Sequence, residues 1–260
     1  MLEKQSYLCV GLDPDIQRLP PSVRYAPDPV FAFNKQIIEA TAPYAVAYKP
    51  NLAFYESLGP SGWDTLRKTL AAIPPEIFTI ADAKRGDIGN TSRMYARAFF
   101  ETLDFDAVTV APYMGRDSVG PFLEFPDKWV FVLALTSNDG AADFQHHGPA
   151  GHPLFMEVIR KTRSWQSEFP GHLGFVVGAT QASALTHIRR EAPDNLLLIP
   201  GVGAQGGDLH AVCRYGRTGR GDILVNASRS ILYADSGLDF GIMAGHAARQ
   251  LQEEMAIFFM

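Results

Sequence analysis

The stretch Phe78-Thr79-Ile80-Ala81-Asp82-Ala83-Lys84-Arg85-Gly86-Asp87-Ile88-Gly89-Asn90 contains one complete structural instruction. An apolar run from Phe78 to Lys84 reads as a strand. It ends in charged residues, passes through a glycine-containing turn, and leads into a helical pattern from Asn90 to Leu103. The same unit recurs along the chain. Further strand candidates are Leu8 to Asp13, Ala45 to Asn51, Ala107 to Pro112, Trp129 to Ser137, Leu173 to Thr180, Leu196 to Gly203 and Asp222 to Ser228. Several are apolar almost throughout, as parallel strands buried on both faces must be.

Helical patterns fall between these runs: Val30 to Thr41, Ser61 to Ile73, Leu154 to Phe169, Gln181 to Glu191 and Asp208 to Tyr215, with a short helix within Ser118 to Phe125. Ser61 and Asn90 are the expected N-caps. The last helix spaces Met243, Ala247, Leu251 and Met255 four apart, which predicts the stripe that covers the sheet. Eight alternations in 260 residues predict a single (β/α)8 barrel domain over residues 1–260 rather than an open doubly wound sheet. The segment Pro14 to Pro29 joins the first strand to the first helix. The Gly-rich stretch Asn138 to His152 is expected to be a lid.

Composition bounds the function. With 47% hydrophobic residues the chain can bury a large core, and a net charge of -5 excludes nucleic-acid binding by bulk charge. An anionic ligand therefore needs a local positive site. No apolar stretch of membrane-spanning length occurs, and Met1 to Leu8 carries Glu3 and Lys4 instead of a signal core. Cys9 and Cys213 have no metal or disulfide spacing. These features predict a cytoplasmic protein with no membrane or nucleic-acid partner.

Barrel enzymes carry their chemistry at the C-terminal strand ends. Those ends hold Asp13, Lys49, Asp82 with Lys84 and Asp87, Ser137, and Ser228 with Arg229. Asp82 and Lys84 are two apart, so a regular strand places them on one face, about 6 to 7 Å apart. Buried charges need partners. Lys49 on the adjacent strand, with Asp13 beyond it, supplies alternating sign and keeps Lys84 protonated. Either a catalytic array or a structural ion-pair network at the barrel mouth satisfies this pattern. At the seventh and eighth strand ends, glycines 201, 203, 206 and 207 and Arg229 suit phosphate, because backbone N–H groups approach closely and a guanidinium binds two oxygens.

Other features read as structural. His146, His147 and His152 lack a carboxylate at ligand spacing, so no metal site is expected. Cys9, Cys213, Phe99-Phe100 and Phe258-Phe259 read as packing residues. Arg189-Arg190 and the arginines from Arg214 to Arg220 read as solvated charges.

The segment Asp82-Ala83-Lys84-Arg85-Gly86-Asp87-Ile88-Gly89-Asn90-Thr91 resembles the Asp-x-Lys-x-x-Asp-Ile-x-Asn-Thr signature of the orotidine 5'-monophosphate decarboxylases. Gly11-Leu12-Asp13, Tyr48-Lys49-Pro50-Asn51, Thr136-Ser137-Asn138, Pro200 to Asp208 and Ser228-Arg229-Ser230 resemble that family in the same order, closest to its longer bacterial subgroup. The resemblance spans nearly the whole chain. It implies metal- and cofactor-free decarboxylation of orotidine 5'-monophosphate to UMP. It implies Lys84 as the proton donor to C6, Asp82 beside the substrate carboxylate, and Lys49 and Asp87 completing the charged array. Asp13 and Lys49 would contact the ribose, Ser137 the pyrimidine, and Gln205, Ser228 and Arg229 the phosphate. A homodimer is implied, with Asp87 and Thr91 reaching the neighbouring subunit's site. Asp139 departs from the pattern, which has proline there; this touches lid shape.

Three other functions compete. Mg2+-dependent sugar-phosphate decarboxylases and hexulose-phosphate synthases share the Asp-x-Lys-x-x-Asp core but place an acidic residue at the position of Lys49. A Schiff-base aldolase needs a neutral lysine, whereas Lys84 is flanked by Asp82 and Asp87. A non-enzymatic phosphoribosyl sensor has no use for both Lys84 and Asp82.

Overall fold

The computed structural model describes residues 1–149, 152–179, 182–202, 206–220 and 222–259, the side chains of Ala182 and Ser183 excepted. Eight strands alternate with helices. The strands are β1 (Leu8–Leu12), β2 (Ala47–Pro50), β3 (Phe78–Arg85), β4 (Ala107–Val110), β5 (Trp129–Leu135), β6 (His172–Val177), β7 (Leu196–Pro200) and β8 (Ile223–Ala227). They are hydrogen-bonded in sequence order and close into a barrel. Pairing is parallel, in registers such as Cys9 with Ala47, Ala107 with Trp129 and Gly174 with Leu196. Closure excludes the open doubly wound sheet.

The helices are α1 (Pro21–Arg24), α2 (Pro29–Thr41), α3 (Leu52–Glu56), α4 (Pro60–Ala72), α5 (Gly89–Arg97), α6 (Arg116–Leu123), α7 (Ala141–Phe144), α8 (Leu154–Gln166), α9 (Ala182–Glu191), α10 (Leu209–Gly216), α11 (Arg229–Leu232) and α12 (Phe240–Ala256). Their starts correct the expected N-caps. Ser61 lies inside α4, where it donates to the Leu58 carbonyl; Gly59 is the cap residue and Pro60 opens the helix. Proline's fixed φ suits the first helical position, so the start falls earlier than a serine cap suggests. Asn90 lies in the first turn of α5, with Ile88 as its cap residue. Asp28, Asn51 and Asp208 do cap α2, α3 and α10, accepting from the amides of Phe31, Ala53 and Ala211. The pattern from Asn90 to Leu103 also divides: after α5 a π-helical turn covers Ala98–Thr102. The wider turn rotates less per residue, so the consecutive Phe99 and Phe100 are both buried.

The chain divides into two compact units, Met1–Asp82 with Asn226–Met260, and Ala83–Val225. In the first, β1 is wholly buried and α12 packs on α2. Phe33 stacks on Phe240 at 5.2 Å and on Tyr233 at 6.1 Å between ring centres. The buried face of α12 is Phe240, Ala244, Gly245, Ala248 and Met255. This corrects the expected stripe: Met243 is exposed and Ala247 and Leu251 are half-buried. Small residues win the inner face because α2 comes so close; a Cβ on Gly245 would sit 3.0 Å from the Ala40 carbonyl oxygen.

In the second unit, β5, β6 and β7 pair through buried apolar side chains, with α8 packed on β5 and β6. Arg189 overturns its expected role as a solvated charge. Its guanidinium is largely buried and donates to four carbonyl oxygens: Ala192 at 3.0 Å, Asn195 at 2.6 Å, Asp222 at 2.6 Å, and Gly216. It ties the end of α9 to the ends of two other segments. Arg189→Ala strands these acceptors, and burying unsatisfied groups costs about 3 kcal/mol. The variant is expected to melt roughly 6–12 °C lower. A differential scanning calorimetry trace within about 2 °C of the wild type would show that solvent replaces the clamp. Arg214 and Arg220 do lie at the surface, the first against the Tyr215 ring and the second paired with Asp194.

The expected lid, Asn138 to His152, carries the short helix α7. Gln145, just after it, accepts from the Thr136 amide at 2.7 Å and donates to the Thr136 hydroxyl at 2.8 Å. Among the described residues no helix is long and apolar enough to cross a membrane.

Candidate active site

The alternation of β2 sets its two functional side chains apart. Tyr48 points outward, sharing a hydrogen bond with the Thr41 hydroxyl at 2.7 Å and donating to the Ile38 carbonyl. The next residue must point the other way. Lys49 does, and its Nζ meets Asp82 Oδ2 at 2.5 Å. Both are buried, at 4% and 8% exposure. The backbone of Asp82 also pairs with that of Asn51 in a parallel β-bridge. Burial opposes the charge on Lys49, but Asp82 and then Asp13 outweigh it, so the ammonium is held above the ordinary lysine range.

Asp13 stands at the end of β1. One of its carboxylate oxygens accepts from the Ser228 hydroxyl at 2.7 Å; the other, Oδ1, is buried without a donor among the described residues. Gly11 permits this arrangement, since a Cβ there would lie 2.8 Å from the Ser228 Cβ and 3.3 Å from Asn226 Oδ1. Arg229 opens α11 and is exposed. The first unit therefore brings Lys49 and Asp82 into direct contact, and Asp13 into contact with Ser228.

Supporting groups here escaped the sequence reading. Tyr55 donates to the Leu12 carbonyl and accepts from buried Asn34, which also donates to Thr69. Tyr233 donates to the Asp13 carbonyl, accepts the Asp15 amide at 2.7 Å, and carries the Arg18 guanidinium 3.7 Å above its ring. No local pattern marks these residues; their partners come from distant segments. Cys9 is buried as expected, with its thiol pushed up to about 12, chiefly by burial, so it has no nucleophilic role at neutral pH.

In the second unit, Lys84 sits at the end of β3 with φ +46, in the left-handed region. This departs from the regular alternation that the sequence implies. Ile80 to Asp82 are buried, whereas Lys84 is exposed. Non-glycine residues adopt this conformation at a cost, and they do so preferentially at functional sites. The amides of Ala83 and Lys84 both donate to Thr109 Oγ1, at 3.0 and 2.9 Å. Asp87 is half-buried and accepts the Ile88 amide at 2.8 Å, while its carbonyl accepts from Ser92. Thr91 is exposed. Ser137 follows β5, beside the Thr136–Gln145 pair. After β7, Gly201 (φ 98) and Gly206 (φ 81) adopt left-handed backbone that glycine allows, and the Gly207 amide donates to the Gly201 carbonyl at 3.2 Å. Gln205 lies outside the described residues.

The family model described as "Orotidine 5'-phosphate decarboxylase / HUMPS family" matches residues 6–238. The chain belongs to this family. Among members of the orotidine 5'-phosphate decarboxylase / HUMPS family, it is 55% identical over 259 residues to the orotidine 5'-phosphate decarboxylase of Christiangramia forsetii, covering 98% of this chain and 94% of that one. It is 54% identical over 257 residues to that of Phocaeicola vulgatus, covering 97% and 94%. Among solved structures, Leishmania donovani OMP decarboxylase superposes with a TM-score of 0.86 at 37% identity, covering 99% of this chain and 96% of that chain. Leishmania donovani UMP synthase gives a TM-score of 0.88 at 39% identity; this chain spans 55% of its length.

Proposed function

We propose that this protein decarboxylates orotidine 5'-phosphate to UMP in pyrimidine biosynthesis, using one barrel domain and no metal or cofactor. Family membership supports the activity, and the buried Lys49–Asp82 pair carries the choice within the family. A Mg2+-dependent relative needs uncompensated carboxylates at this point, whereas here an ammonium already occupies Asp82.

Loss of CO2 leaves an electron pair at C6 with no adjacent carbonyl to absorb it. The protein must stabilise that charge and protonate it. In this reading Lys84 does both: its ammonium faces the developing carbanion, the C6–H bond forms as the Nζ–H bond breaks, and solvent reprotonates the amine. Asp82 lies beside the departing carboxylate. Two bare like charges about 4 Å apart repel by roughly 4 kcal/mol at an effective dielectric near 20. Lys49 neutralises much of Asp82, so this repulsion is the smaller contribution and stabilisation by Lys84 the larger. Asp87 completes the array. The buried, donor-free Asp13 Oδ1 suits a ribose hydroxyl, with Lys49 near it. Ser137 binds the pyrimidine, and Gln205, Ser228 and Arg229 bind the phosphate.

The chain is further proposed to form a homodimer that presents Asp87 and Thr91 to the neighbouring subunit. Exposed Ile88, Met94, Tyr95, Tyr113 and Met114 support this, with Met114 packed against Gly86 just before Asp87. Two free, buried cysteines suit a reducing cytoplasm.

The test is ultraviolet absorbance of EDTA-treated protein mixed with orotidine 5'-phosphate. Loss of the substrate band with formation of UMP is expected. Folded protein with no turnover, active instead on hexulose phosphates with Mg2+, would refute the assignment. Arg229→Ala is expected to raise KM and UMP Kd by about 10- to 100-fold, since a charge-assisted contact is worth roughly 1.5–3 kcal/mol, with kcat less affected. Calorimetric titration with UMP that matches wild type removes Arg229 from the phosphate site.

A further inference from the structure

We propose that Thr109 is a positioning residue: its hydroxyl holds the backbone of Ala83 and Lys84 in the turn that aims the Lys84 side chain. The inference deepens the reading above, since it takes Lys84 as the proton donor. β4 is an apolar, fully buried strand of alanine and valines apart from this hydroxyl, and Thr109 is 1% exposed. A valine would fill the same volume among Val108 and Val110. A threonine here is explained by what its oxygen accepts.

In a regular strand, successive N–H groups point to opposite sides and cannot share an acceptor. Here the amides of Ala83 and Lys84 converge on one oxygen, at 3.0 and 2.9 Å. Convergence of these two amides is set by the backbone at Ala83, which must leave regular extension; followed by a left-handed residue, such a turn forms an anion-binding nest. Lys84, at φ +46, is that following residue, and the threonine oxygen fills the nest. The ladder resumes one residue later, where the Ala111 amide donates to the Arg85 carbonyl at 2.8 Å. The irregularity is thus confined to Ala83 and the residue bearing the ammonium. Without Thr109 Oγ1 the two amides lose their shared acceptor and this offset to the left-handed strain, so β3 relaxes toward regular alternation and the Cα–Cβ direction of Lys84 rotates.

The experiment compares Thr109→Val, Thr109→Ala and Thr109→Ser, with activities normalised to UMP-binding sites counted by titration. Three quantities are read: kcat and KM for orotidine 5'-phosphate, Kd for UMP, and exchange of the UMP C6 hydrogen for deuterium, which runs the same proton transfer in reverse. Val and Ala are expected to lower kcat about 10- to 100-fold, as misplacement of a reacting group by about 1 Å does. Exchange should fall in parallel, with KM and Kd within about 3-fold of wild type. Ser keeps the acceptor and should recover most of the rate. Unchanged kcat in Val, or kcat and UMP affinity falling together with Ser no better than Val, overturns the proposal. So does a folded Ser beside unfolded Val and Ala, which assigns the hydroxyl to folding alone. If the wild type itself does not turn over orotidine 5'-phosphate, the functional reading fails instead.

Discussion

Lys84→Ala should yield a folded protein that binds UMP with near-normal affinity and decarboxylates roughly 10,000- to 10,000,000-fold more slowly. The size follows from two losses at one atom. A positioned general acid contributes about 100- to 10,000-fold, and an electrostatic stabiliser aimed at developing charge about 100- to 1,000-fold. Binding should survive because UMP is held through phosphate, ribose and ring contacts that do not need this ammonium. Stability should survive too, since Lys84 is exposed and the substitution leaves its backbone amide on Thr109. Lys84→Gly makes an internal control. It loses the same chemistry while relieving a left-handed residue, a strain of about 1 kcal/mol, so it should be as inactive as the alanine variant and no less stable. Stopped assays with high enzyme, beside UMP calorimetry, decide the matter. Turnover within about 10-fold of wild type is too small a loss for a general acid and would move the proton donor elsewhere.

The order of strands was legible because each apolar run is long enough to be a strand and ends in residues a buried strand would not keep without reason. Asp13, Lys49 and Asp82 could be picked out on that ground, and the Lys49–Asp82 contact follows from neighbouring strands needing to cancel charge. The turn at Lys84 was hidden. Regular alternation is the default inference from spacing, and the group that breaks it, Thr109, lies on the next strand. Arg189 was hidden for a similar reason. On a helix beside Arg190 it looks solvated, but its acceptors at Ala192, Asn195, Gly216 and Asp222 converge only in the folded chain. The stripe on α12 misled because four-residue spacing of large apolar side chains outscored the small residues that close packing on α2 demands. Tyr233, Tyr55 and Asn34 carry no local signal, since each acts on a backbone or side chain far away in sequence.

Lys49→Met should cost about 3–5 kcal/mol of stability, because it leaves the Asp82 carboxylate buried without its ammonium; for a chain of this length that is a drop of roughly 6–20 °C in Tm. Two further results separate the pair's structural role from its chemistry. In the wild type the raised Lys49 contributes stability that is fully present below the ordinary lysine value of 10.5 and is lost only as pH rises through its folded value above that. Between pH 5 and 8 this contribution is therefore flat. In Lys49→Met this ammonium no longer offsets the burial of Asp82, which raises its carboxyl relative to the wild type. The folded state then binds more protons than the unfolded one, so stability should rise as pH falls from about 8 to 5, the slope being set by the difference in bound protons. The wild type should show no such gain from this pair. Adding Asp82→Asn removes the buried charge that Lys49 had balanced, so the double variant should regain most of the lost stability at pH 7 while remaining inactive. Chemical denaturation of the single and double variants at both pH values reads all of this. If the double variant is no more stable than Lys49→Met, the cost comes from lost packing of the lysine stem. If it is stable and also active, the array does not use this pair, and only Lys84 and Asp87 remain to supply its charge.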